Sequence, residues 1–359
     1  MTLLIIIIVL ALIFDFINGF HDAANSIATI VTTKVLTPFQ AVLWAAFFNF
    51  IAFAIVKWVF GGNFGIANTI SKTVVAQFIT PQIMLPILLS GVIAAIIWNL
   101  VTWWLGIPSS SSHTMIGGFI GAAITATASI NSINWYGQKG VISIIAFIFL
   151  APLIGMILAT LLSVLTMNLC RKANPHKANR WFKHLQLASS ALFSIGHGMN
   201  DSQKTMGIIA ITLIAFNGDP NIASQLPAWM KLTSFDLFKH TEEFDWIPLA
   251  CFIAIALGTL SGGWRIVKTM GTRITRVTSF EGVVAETAGA MTLYISELLS
   301  IPVSTTHTIS GAIMGVGATK RLSAVRWGVT KNLLIAWILT IPVSALLAAL
   351  IFLVVRLFI

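Results

Sequence analysis

The stretch GFHDAANSIAT, residues 19–29, follows four residues behind the apolar run LLIIIIVLALIF, residues 3–14. A helix needs about 20 apolar residues to cross the hydrocarbon of a bilayer. A helix that starts in this run therefore carries His21, Asp22 and Asn25 into the membrane. Each intramembrane charge costs about 2.5–3.5 kcal/mol on insertion scales, so a buried aspartate here needs a partner and a role.

The same frame returns later in the chain. GFHDAANS (19–26) aligns with GMNDSQKT (198–205) as Gly-x-x-Asp-x-x-(Asn/Lys)-(Ser/Thr), and IPSSSSHTMIGGFIG (107–121) aligns with IPVSTTHTISGAIMG (301–315). The register offsets, 179 and 194 residues, describe one duplicated unit with a small insertion. Ten apolar windows are readable, near 3–31, 38–60, 84–106, 112–128, 141–168, 187–215, 247–264, 283–300, 308–320 and 326–356. The count rises to twelve if broken helices are counted separately. Five spans per half is an odd number, so the second copy is expected to be inverted relative to the first. Many secondary transporters bind substrate near the midplane between such repeats. The expected fold is an all-α integral membrane protein with about ten transmembrane helices in two inverted-topology repeats, and with broken or re-entrant helices at the midplane. The first repeat would cover 1–169, a basic cytoplasmic linker 170–186, and the second repeat 187–359.

Composition agrees with a membrane protein: 57% of the 359 residues are hydrophobic and 9% are charged, against about 25% charged in soluble domains. The net charge of +10 is not a nucleic-acid footprint, because 13 of the 21 basic residues fall in three short stretches, Arg171 to Lys183, Arg265 to Arg276 and Lys320 to Lys331. Basic loops between apolar spans mark the cytoplasmic side. One orientation places all three there and puts the acidic 217–246 loop, with Asp219, Asp236, Glu242, Glu243 and Asp245, outside. Both termini are then extracytoplasmic, in a multi-pass protein of the cell membrane. The first span lacks a basic flank and reads as a retained helix rather than a signal peptide. Cys170 and Cys251 fall near opposite membrane faces and suggest neither a disulfide nor a metal site.

The chemistry-bearing residues lie in the duplicated segments. On a helix, Asp22 and Asn25 share a face at i, i+3, as do Asp201 and Lys204, with Gln203 beside them. The first copy offers only oxygen ligands of a kind suited to a hard cation such as Na+, whereas Lys204 in the second suits an anion. Pro108 and Pro302 disfavour helix at the residue before them, so the preceding helices are expected to stop inside the membrane. Ser109 to Ser112 and Ser304 to Thr306 then supply N-caps for the next helices. Two helix N-termini lined with hydroxyls form a site for a tetrahedral oxyanion. Gly117, Gly121, Gly311 and Gly315 read as helix-packing positions. His21, His113, His197 and His307 flank the motifs, where a proton relay and a structural role are equally compatible with the pattern. Asp15, Glu286 and Glu297 also fall within apolar spans, and Glu297 stands five residues before Pro302.

These four segments together resemble the inorganic phosphate transporter family known as PiT, in its bacterial branch, and the similarity runs over nearly the whole chain. The resemblance implies secondary transport of inorganic phosphate into the cell, coupled to Na+ or H+, by an elevator-like or rocking movement, commonly in a homodimer. Carried over by motif position, Asp22, Asn25 and Asp201 would serve the coupling cation. Gln203, Lys204, Ser110, Ser111, Ser304 and Thr305 would surround phosphate, with Ser112 and Thr306 as neighbours. His21, His197 and Glu297 are the candidates for a proton relay. No cofactor beyond the coupling ion is expected, and the partners are inorganic phosphate and the bilayer, not nucleic acid. A sulfate or related oxyanion permease with the same site is the alternative. A channel would need a continuous pore, and a hydrolase built on SSSSHT would not need that segment twice, so an enzyme is not expected.

Overall fold

The computed structural model describes residues 2–62, 64–74, 81–137, 140–235 and 244–358. Asp236, Glu242 and Glu243 of the acidic loop lie outside the described residues. Among those described there is no strand, only an isolated bridge between Val74 and Ile133. The helices are α1 (Thr2–Thr32), α2 (Pro38–Ala54), α3 (Gly65–Ser71), α4 (Pro81–Leu105), α5 (Ser111–Thr127), α6 (Val141–Leu169), α7 (Pro175–Asn217), α8 (Pro220–Ala223), α9 (Trp246–Ser261), α10 (Trp264–Lys268), α11 (Ser279–Leu298), α12 (Thr305–Lys320) and α13 (Trp327–Val355).

Local chemistry sets several of the boundaries. Thr37 and Gln40 form a reciprocal capping box ahead of Pro38 at the start of α2, and Asn174 caps α7 by accepting from the N–H groups of His176 and Lys177. Such caps satisfy donors that a helix end leaves orphaned. The basic segment 170–186 is a short turn followed by the first turns of α7. At 43 residues, α7 is about 65 Å long at 1.5 Å per residue, roughly twice a hydrocarbon thickness of about 30 Å. That length lets one helix carry an exposed basic end and a buried polar motif.

Both Ile-Pro segments break the chain. α4 ends at Leu105 and α11 at Leu298; Gly106 and Ser300, at matching positions of the two segments, both take positive φ, 68° and 56°. The chain then runs extended to Ser110 and Ser304, whose hydroxyls cap α5 and α12 by accepting from His113 N and His307 N at 3.3 and 3.2 Å.

The halves interlock. α5 packs along α13 and α6 along α12, while α1 lies on α9 and α2 on α7. Glycine permits these contacts: a Cβ on Gly117 or Gly121 would strike the backbone of Ile341 or Ala345 in α13, and one on Gly311 or Gly315 would strike Pro152 or Met156 in α6. Gly19 and Gly198 repeat the device against Ile255 and Asn49.

Polarity is arranged inside out. Ile5, Val9 and Ile13 of α1, Ile157 and Leu161 of α6, and Leu346 and Leu350 of α13 face outward, whereas Asp22, Asn25, Asp201, Gln203 and Lys204 are buried. Among the described residues, five helical segments are long and apolar enough to cross a membrane, with α9 and the following 264–273 segment a sixth candidate bent by 62°. α5 and α12, at 17 and 16 residues, are shorter than a full span, and the polar residues of α7 and α11 dilute their hydropathy. The protein is a multi-pass membrane protein whose polar side chains turn inward.

Candidate functional site

Four segments distant in sequence converge on one buried centre. From α1, the Asp22 carboxylate meets His21 Nδ1 at 2.7 Å and receives Ser111 Oγ at 3.3 Å. Thr305 and Thr306 at the start of α12 approach it at 3.4 and 3.5 Å, and Asn25 Nδ2 donates to both hydroxyls at 3.1 and 2.9 Å. From α7, Lys204 Nζ pairs with Asp201 and donates to Val303 O at 3.2 Å. Ser112 Oγ donates to the same carbonyl at 3.1 Å, so the stretch before α12 joins both hydroxyl-bearing turns to the lysine.

Asp22, Asp201 and His197 present ligand atoms that all lie within 4.8 Å of one another. Two carboxylates this close repel strongly; Lys204 offsets one and a cation among them would offset the other. Asn25 Oδ1 and Asp201 Oδ2 are buried without a hydrogen-bond partner, although His197 Nε2 lies 3.3 Å from the latter. Buried polar atoms rarely stay unsatisfied, so these oxygens suit a ligand. The Asp201–Lys204 pair expected from i, i+3 spacing exists, but it stands inside a larger cluster.

Each predicted residue can be placed. Asp22, Asn25, Asp201, Lys204, Ser111, Ser112, Thr305 and Thr306 form this centre, all at most 2% exposed. Ser110 and Ser304 spend their hydroxyls as caps at its edge. Gln203 turns toward Glu297, to which its Nε2 donates at 2.7 Å, while its Oε1 accepts from Ile66 N of α3 at 3.1 Å. Glu297 thus touches Gln203 rather than the two aspartates. His21 and His197 each sit against an aspartate. His113 and His307 meet with their rings tilted, centroids 4.9 Å apart, and Trp337 stacks on His307 at 3.8 Å. Glu286, whose role the sequence left open, accepts from Thr29, Gln186 and Ser189 and ties α1, α7 and α11 together.

Sequence reasoning missed a set of supporting residues. The frame extends one residue upstream as NGFHD (18–22) and HGMND (197–201), with Asn and His exchanged. Asn18 Oδ1 accepts from Ser111 Oγ at 2.6 Å. His21 Nε2 lies 3.1 Å from Thr102 Oγ1, and Asn200 donates to Ser296 Oγ at 3.1 Å, with Thr102 and Ser296 at matching positions of the second repeat pair. On the other side, His197 Nδ1 reaches Asn49 Oδ1 at 3.2 Å and Asn49 donates to Thr259 at 2.8 Å. The exchanged pair was visible in the sequence, but its partners were not.

A bundle with capped half-helices, two carboxylates and an ammonium around one buried centre has the layout of a membrane transporter. The chain matches the phosphate transporter family over residues 18–348 and belongs to it. It is 47% identical to the "Probable low-affinity inorganic phosphate transporter" of Rhizobium meliloti (strain 1021), over 97% of this chain and 95% of that one. A protein of the same description from Bacillus subtilis (strain 168) is 41% identical over 97% and 96%. The fold matches a solved structure titled "The sodium-dependent phosphate transporter" with a TM-score of 0.83 and 25% identity, over the whole of both chains. These relatives are named as transporters, not enzymes.

Proposed function

We propose that the protein is a symporter that moves inorganic phosphate into the cell together with Na+ or H+. The observation that carries this reading is the joining of Asp22, Asp201 and Lys204 with hydroxyls from both broken-helix turns in a single centre sealed from solvent. Asp22, Asn25 and Asp201 supply oxygens for the cation, and His197 adds a ring nitrogen. Lys204, Ser111, Ser112, Thr305 and Thr306 supply donors for phosphate oxygens at two helix N-termini capped by Ser110 and Ser304, and Gln203 joins them once it releases Glu297. The sodium-dependent solved relative favours the Na+ arm. In the H+ arm, His21, His197 and Glu297 would pass the proton. A negative interior opposes phosphate entry, and each cation moving inward gains about 2.3 kcal/mol per 100 mV, so enough co-transported cations make net uptake downhill.

The pairing of α5 with α13 and α6 with α12 supports a ten-pass, inverted-repeat reading with halves 1–169 and 187–359. Both termini would lie outside, the basic loops in the cytoplasm, and the protein would assemble as a homodimer. Because the centre is closed to solvent, loading and release require one bundle to move against the other. The test is uptake of labelled phosphate into proteoliposomes under imposed Na+ or H+ gradients, with sulfate as competitor. Saturable uptake that collapses with one cation gradient and resists sulfate is expected. Uptake indifferent to both gradients would overturn symport, and preferential inhibition by sulfate would shift the substrate to that oxyanion.

A further inference from the structure

A second cationic feature lies away from the buried centre. An open cavity of about 470 Å³ is formed between the 269–277 segment and the loop joining α12 to α13, lined by Arg276, Lys320, Arg321 and Arg326 with Thr275 and Ser323. The loops are held by neutral hydrogen bonds: Arg326 N donates to Ile274 O at 3.0 Å, and Thr275 Oγ1 to Ala324 O at 3.0 Å. Only Lys320 has a carboxylate partner among the described residues, Glu281 at 2.6 Å. Arg276, Arg321 and Arg326 therefore crowd one concavity without a carboxylate partner among the described residues, Arg326 Nη1 donating only to Thr272 O at 3.4 Å.

Cations in this region have two ordinary explanations. Lysine near the end of α12 complements the helix dipole, and basic loops orient the chain in the membrane. Neither requires three further cations and two hydroxyls to converge on a cavity, an arrangement that raises mutual repulsion until an anion enters. Arginine forks and hydroxyls are the donors that match phosphate oxygens. Exposed Leu322 and Trp327 flank the cations, the mixture expected where a loop meets the headgroup layer.

We propose that this cavity binds a phosphate-bearing anion at the membrane surface, as a site distinct from the transport centre. α12 links the two: it begins with Thr305 at the centre and ends with Lys320 at the cavity, about 24 Å apart at 1.5 Å per residue. The phosphate belongs either to an anionic lipid headgroup or to a free polyanion, and the experiment separates these sources.

The full chain is reconstituted in nanodiscs. In one arm the discs mix phosphatidylglycerol with phosphatidylethanolamine, and lipid retained after mild stripping is read by native mass spectrometry. In the other, the discs contain only phosphatidylcholine and are titrated with tripolyphosphate. The variant is Arg276→Gln with Arg321→Gln; the control is Lys172→Gln with Lys177→Gln in the other exposed basic segment. At about a factor of five per cationic side chain, the variant loses roughly twenty-five-fold in affinity, and the control does not. Loss confined to the phosphatidylglycerol arm identifies a lipid headgroup, and loss confined to the tripolyphosphate arm a soluble polyanion. If the variant matches the parent in both arms, or the parent binds neither probe, the proposal fails. Asp22→Asn keeps this binding while losing transport, so failure of the transport reading and failure of this one give different results.

Discussion

Lys204→Ala is the most informative substitution because stability and function are predicted to separate. The ammonium is fully buried, paired with Asp201 and bonded to Val303 O. Removing one member of a buried pair leaves an uncompensated charge and costs about 3–5 kcal/mol. Asp201 also lies within 4.8 Å of a ligand atom of Asp22, so the cost should fall at the upper end. Removing a charge-assisted hydrogen bond to phosphate costs about 1.5–3 kcal/mol of affinity, a factor of roughly ten to 150 at 1.4 kcal/mol per decade. The double variant Lys204→Ala with Asp201→Asn removes the orphaned charge and regains most of the stability, yet it recovers no phosphate affinity. Thermal unfolding in detergent and phosphate titration of parent, both single variants and the double variant measure the two quantities. Wild-type phosphate affinity in Lys204→Ala would refute the assignment of the ammonium to substrate. A double variant as unstable as Lys204→Ala would refute the charge argument.

Asp22→Asn keeps the shape that Ser111, Thr305 and Thr306 contact but removes the charge, so uptake in proteoliposomes should fall at least tenfold and lose its response to the cation gradient. Gly121→Leu forces a side chain into the Ala345 backbone; folded yield on size-exclusion chromatography should collapse, whereas Gly137→Ala, with open space around it, should cost much less despite its positive φ. Ser300 holds φ 56° where the matching residue is Gly106. Since a non-glycine residue there costs about 1–2 kcal/mol and glycine loses about 0.5–1 through the greater freedom of the unfolded chain, Ser300→Gly should raise stability by up to about 1.5 kcal/mol in a thermal shift assay.

Whatever depends on near neighbours along the chain was legible before any coordinates. The Ile-Pro breaks, the caps at Ser110 and Ser304, the Asp201–Lys204 pair and the close-packing glycines follow from backbone sterics, orphaned N–H groups and helical spacing, which act over a few residues. Duplication was legible too, because two copies of one segment can be compared without knowing where either lies. Packing in three dimensions brought Asn25 to Thr305 and Thr306 across some 280 residues, set Glu297 against Gln203 instead of the aspartates, and placed Asn18, Thr102 and Asn49 in support of the centre. It also gathered four cations from the 269–277 segment, the end of α12 and the loop that follows it around one cavity. Contacts of this kind depend on which helix faces pack together, and a polar side chain in an apolar span announces that it needs a partner without saying which one.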